Sequence, residues 1–272
     1  MLVVLICVPC LAGDRPSDPA PQFLDLGFRD LYNLRFEPAQ QEFDAWKRSY
    51  PTDPMGPVSE AAGLLFSEFH RLGILESQFY ESDSAFQARK KNVPDAAVRR
   101  RFDDAIARAE ALAQTRLAAN PKDRDALFAM TLGSGLKADY AALIDKRNVA
   151  SLHYTKEATG WAEQLLAVDP GCYDAHVATG VSKYIIGTMA APVRWLLRLG
   201  GVSGDKQAGI AELQITAEHG RYLAPFARIL LAIAYVRDKD KPRALQLLGS
   251  LRSEFPENPL FAQEIARLDS AH

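Results

Sequence analysis

Four prolines punctuate the chain at comparable places: Pro51, Pro121, Pro170 and Pro256 each follow an amphipathic segment of helical period. Proline lacks the backbone N–H and clashes with the preceding turn, so a helix ends at or before each. The residues ahead of them recur as well. In PQFLDLGFRDLYNLRFEPAQQEFDAWKRSYPTDP, Phe23, Leu26 and Gly27 stand early in one helix, and Ala39, Phe43 and Trp46 stand in the next, ahead of Pro51. Ala232 and Tyr235, then Ala244, Leu248, Leu251 and Pro256, repeat that register. Leu127, then Ala158, Ala162, Leu165 and Pro170, repeat it again; Gly180 marks another first helix, and Ala61 with Pro121 a further pair. Small residues where paired helices touch allow close approach, and larger ones fill the holes between neighbours. A period of a few tens of residues points to stacked helix pairs before any other fold.

These positions resemble the tetratricopeptide repeat (TPR), a 34-residue helix-turn-helix unit. The resemblance implies an all-α, right-handed TPR-like α-solenoid of about five helix pairs plus a C-terminal capping helix, held together by contacts between neighbouring repeats. Repeat units are expected at 20–53, 54–123, 124–172, 173–224 (with an insertion at 187–204) and 225–258, inside a single domain spanning 20–272. No window alternates as a strand with hairpin turns.

The composition fits a globular chain of 272 residues with a formal net charge of −2, so no basic excess points to nucleic acid. The runs Arg89-Lys90-Lys91 and Arg99-Arg100-Arg101 are balanced by Asp95, Asp103 and Asp104 and read as a solvated helix start. MLVVLICVPCLAG resembles a secretory signal peptide with cleavage near Ala12, followed by a proline-rich linker over 13–19. It is too short to span a bilayer. An exported protein, periplasmic or secreted, is expected, with a cytoplasmic one as the alternative. Cys7 and Cys10 fall inside that leader, which leaves Cys172 as the one thiol of a mature chain.

In a TPR superhelix the first helix of each pair lines the concave face. The register places Leu24, Phe28, Leu31 and Tyr32 there from the first repeat, and Phe128, Leu132 and Leu136 from the third. Val177, Val181, Tyr184 and Ile185 follow from the fourth, and Ile229, Ile233 and Val236 from the last. Repeats that clamp a peptide carboxylate use Lys, Asn and Arg at such positions; these are apolar. The expected partner-binding groove (Leu24, Phe28, Tyr32, Phe128, Leu132, Val181, Tyr184, Ile229 and Ile233) suits an amphipathic helix, an apolar segment or a lipid-like ligand. The chain itself filling the groove is the equal alternative, since solvent rarely faces so long an apolar strip.

Signals for chemistry are weak. The five histidines are scattered and no H-E-x-x-H or paired C-x-x-C occurs, so neither a metal nor a cofactor is expected. Thr131-Leu132-Gly133-Ser134-Gly135 follows no strand, so its glycines read as close packing or a helix break. Ser203-Gly204-Asp205-Lys206 matches S-x-x-K without the companion motifs of that chemistry; Ser203 or Asp205 as a helix N-cap explains it with less.

Residues 187–209, GTMAAPVRWLLRLGGVSGDKQAG, interrupt one repeat. Pro192 is expected to start a short amphipathic helix that Gly200 and Gly201 end, with Arg194 and Arg198 on one face and Trp195 on another, a surface for weak membrane association through 189–199. Pro192, Trp195, Leu196, Leu197, Gly204, Asp205, Lys206 and Gly209, with FPENPLF at 255–261, resemble the inclusion-body-clearance and mitochondrial outer-membrane TPR family and its bacterial relatives. That resemblance implies a non-enzymatic protein-interaction scaffold with protein partners of unknown identity. A carrier of a small apolar ligand, or an enzyme using the groove with polar groups such as Tyr184 or Arg237, is the alternative.

Overall fold

The computed structural model of the protein describes residues 21–77, 93–189 and 204–270. Five antiparallel helix pairs follow one another. The first is α1 (Pro21–Tyr32) with α2 (Phe36–Ser49), and the second α3 (Met55–Arg71) with α4 (Ala96–Ala119). In the third, α5 (Arg124–Asp139) runs into a π-helical turn at Tyr140–Ile144 before α6 (Asn148–Val168). A 3-10 turn at Tyr173–Ala175 leads into the fourth, α7 (His176–Thr188) with α8 (Lys206–His219). The fifth is α9 (Ala224–Arg237) with α10 (Lys241–Glu254), and α11 (Pro259–Ser270) caps the array. Each helix packs on the one before and the one after it, and no strand occurs among the described residues. The fold is an all-α, TPR-like solenoid.

The prolines act as the sequence implies. Helices α2, α4, α6 and α10 each stop with a single residue left before Pro51, Pro121, Pro170 or Pro256. That residue (Tyr50, Asn120, Asp169 or Phe255) has left the helical region, with ψ of 69°, 98°, 89° and 68°, because the proline ring excludes the α conformation ahead of it. Its carbonyl then accepts from the N–H three residues on at 3.0–3.2 Å, so the same turn is built four times. Ala39, Ala109, Ala158 and Ala244 stand the same distance ahead of those prolines and are all buried.

Aspartates start several helices by accepting the free N–H groups of the first turn. Asp95 accepts from Ala97 and Val98 at 2.7 and 3.2 Å, and Asp123 from Ala126 at 2.9 Å. At α8 the cap is Asp205, which accepts from Gln207 and Ala208 at 2.9 and 3.1 Å. Ser203, Pro192, Gly200 and Gly201 lie outside the described residues, as do 1–20 with the signal-like start.

Close approach requires glycine at several positions, Gly27 and Gly209 among them. A Cβ at Gly27 would stand 2.3 Å from the Phe43 ring, so α1 and α2 touch only because it is absent. A Cβ at Gly209 would stand 2.5 Å from the backbone N of Tyr184, so α7 and α8 pack backbone to backbone. The glycines at 133 and 135 do not break α5, which runs through both: Gly133 is buried, where a Cβ would lie 3.7 Å from Val58 and 3.9 Å from Ile106, whereas a Cβ at Gly135 would meet nothing within 4 Å.

The apolar interior forms two large clusters. One spans the first three pairs and is rich in Phe; the other joins α8 to α11 and is mostly aliphatic. Tyr32, at the end of α1, packs against both.

Candidate functional site

The concave face is not an open groove, because the first repeat meets the last across it. The Phe28 and Tyr222 rings lie 5.0 Å apart, and Phe66 of α3 meets Phe226 of α9 edge-on at 5.9 Å. The Tyr32 hydroxyl donates to the Tyr222 carbonyl at 2.9 Å, and its ring lies 5.3 Å from Phe255. Burial of that phenol pushes its pKa well above the ordinary value. The seam ends in polar contacts: Arg221 grips Asp25 with two bonds of 3.0 and 2.9 Å, and Asn258 donates to the Tyr32 carbonyl at 2.9 Å.

What remains between the repeats is a cavity of about 150 Å³. Phe28 and Tyr32 contribute one wall, Phe128 and Leu132 the next, and Val181 a third. The expected groove residues therefore divide. These five line the cavity, as do Leu31, Leu136 and Val177. Leu24 instead is buried in the first core and faces a separate surface depression beside Trp46 and Tyr222. Tyr184 and Ile229 pack on the second core, and Ile233 is partly buried away from the cavity lining. Ile185 is 45% exposed. Arg237 does not line the cavity either. The insertion surface of Arg194, Trp195 and Arg198 lies outside the described residues.

Two acidic side chains complete the lining, and the expectations named neither of them as groove positions. Asp174, in the 3-10 turn before α7, is buried and accepts three backbone N–H groups from the approach to α9: Arg221 and Tyr222 at 3.1 Å each, and Leu223 at 2.9 Å. Its carboxylate thus closes the N-terminus of a helix one repeat away. Burial still outweighs those bonds and holds its pKa above the usual carboxylate range.

Asp139 is the last residue of α5, immediately before the π-helical turn. It makes no hydrogen bond or ion pair to any described residue, and burial pushes its carboxyl up to about 7. The other polar side chains of the lining are satisfied: Thr131 donates to Leu127 and Thr155 to Ser151, both at 2.9 Å. No Lys, Arg or His lines the cavity among the described residues.

The missed residues left a readable signal. Phe128, Leu132, Gly135 and Asp139 fall on one helical stripe, so a lone acid sits on an otherwise apolar face. Phe66 and Phe226 gave no such sign, because their meeting depends on how tightly the solenoid curls.

Elsewhere, His176 opens α7 and is partly buried, with its Nδ1 making no hydrogen bond to any described residue, and Lys206 pairs with Asp238. Burial raises the Cys172 thiol to about 11, which keeps it protonated and a poor nucleophile near neutral pH. Among the described residues no group of three or more His, Cys, Asp or Glu side chains could hold a metal ion, and no helix is long and apolar enough to cross a membrane.

No family model and no curated protein matches the chain. Among solved structures it is similar to a thermophilic TPR protein of Thermus thermophilus, with a TM-score of 0.46 and 15% sequence identity, over 92% of this chain and 98% of that one.

Proposed function

We propose that the protein acts by binding rather than by catalysis, and that it holds a small, largely apolar ligand in the cavity between its first and last repeats. The observation that carries this reading is the set of ring contacts that the first repeat makes with Tyr222 and Phe255 at the far end of the array, which narrows the concave face to a small cavity. A helix with its side chains is about 10–12 Å across, whereas the cavity offers about 150 Å³. An apolar cavity of about that size is enough for a ligand such as benzene. Native mass spectrometry of protein purified from its own cells, followed by solvent extraction, tests it. A bound small molecule released on unfolding is expected; an empty monomer that no apolar compound stabilises against heat would overturn the reading.

The interaction scaffold is the second reading, favoured by the polar rim of the seam. Arg221 and Asp25 are 52% and 44% exposed, and Arg35 and Glu257 are 47% and 58% exposed. Exposed pairs of this kind contribute at most about 1 kcal/mol each. A seam that parts would present the apolar helix faces to an amphipathic segment of a protein partner. Cross-linking in native cells tests this, and the fractionation it requires also tests export. No stoichiometric companion would count against the scaffold.

A further inference from the structure

The placement of a lone carboxyl in an aromatic cavity says more than that the ligand is apolar. We propose that the cavity takes a small hydrophobic ammonium compound, an aromatic or branched alkyl amine, with its cationic nitrogen against the Asp139 carboxylate and its apolar part among Phe28, Phe66, Phe128 and Phe226. This rests on the ligand-binding reading above and deepens it.

The argument is one of complementarity. A neutral ligand would leave the Asp139 carboxylate desolvated and unpaired, and an anion would meet two carboxyl groups with no lining cation among the described residues. A cation supplies what the site lacks. It pairs with the one unpartnered polar side chain among the described residues of the lining, while Asp174 is already held by three amides. The aromatic walls favour the same charge, since ring faces attract ammonium groups, more so away from water. The upward pKa of Asp139 agrees with a carboxyl awaiting a counter-ion. Gly135 keeps the space open: it lines the cavity, and a Cβ there would touch nothing within 4 Å.

Three probes of one size separate the possibilities: benzylamine, benzyl alcohol and benzoate, titrated calorimetrically into the full chain at pH 8. The ammonium is expected to bind at least about tenfold tighter than the alcohol, and benzoate weakest, because the opposite charge is paired in a site of low dielectric. Asp139→Asn should bring benzylamine to the level of benzyl alcohol while leaving the alcohol's affinity within about twofold. Gly135→Leu should weaken all three together by filling the space. Equal affinity for amine and alcohol, or an amine preference that survives Asp139→Asn, would overturn the ammonium assignment and leave the cavity reading standing. Failure of all three probes to bind folded wild-type protein would overturn both. A melting transition no lower than wild type confirms that Asp139→Asn is folded, since the substitution removes a buried charge.

Discussion

Two walls of the same cavity each carry an aspartate, and the two are treated in opposite ways. At the turn before α7, Asp174 is surrounded by donors and joins the fourth repeat to the fifth through three amides. At the end of α5, Asp139 is surrounded by apolar groups and has no partner among the described residues. Burial raises both pKa values, yet one group holds the fold together and the other strains it. A carboxylate is neither stabilising nor destabilising in itself; the donors that its neighbours' backbones present decide the sign.

The contrast is broken most severely at Asp174. Asp174→Ala would strip three partly buried N–H groups of their acceptor, and a loss of roughly 3 kcal/mol is expected in urea unfolding. Asp174→Asn keeps an acceptor and should recover part of that.

At Asp139 the effect has the opposite sign and depends on pH. Its folded pKa of about 7 lies above the unfolded value of about 3.9. The neutral acid is therefore tolerated, and stability is lost as pH rises through 7. Asp139→Asn should raise stability by on the order of 1–3 kcal/mol at pH 8. Urea midpoints at pH 8 and pH 4 check this, with the gain vanishing at the lower pH. A gain equal at both would mean that the carboxyl is not desolvated.

Gly135→Ala sharpens the comparison from the cavity side. The methyl enters open space and removes backbone freedom from a helix interior, so a gain of about 0.5–1 kcal/mol is expected in thermal melts. The smallest effect lies at the rim. Asp25→Ala breaks the exposed pair with Arg221 and should change stability by about 0.5 kcal/mol or less, and less still at high salt.

How much of this was legible follows from how local each determinant is. The helix stops at Pro51, Pro121, Pro170 and Pro256 are set by the residue beside each proline, and the Asp205 cap by two amides next to it. Gly27 and Phe43 lie in adjacent helices of one pair, so their contact follows from the register alone. The cavity is different. Tyr32 and Tyr222 are brought together by the summed rotation of four repeats, and no residue between them encodes that sum. An apolar position on a first helix therefore reads the same whether it packs on the second core without reaching the cavity, as Ile229 does, or also lines the cavity wall, as Val181 does. The glycines of the Thr131–Gly135 segment read as close packing or a helix break, because composition cannot tell either from the open space that Gly135 faces.

The meeting of α1 with the α8–α9 connection also changes what kind of object the repeat array is. A linear array has two free termini, and its outer units open first under hydrogen exchange, each held by one neighbour. Here the first unit is held by the end of the fourth and by the last, through contacts 190 and 226 residues apart in sequence. The string has become a ring closed by side chains instead of a peptide bond. Its first helix should exchange as slowly as the middle of the chain, and releasing Tyr32 should loosen both ends at once.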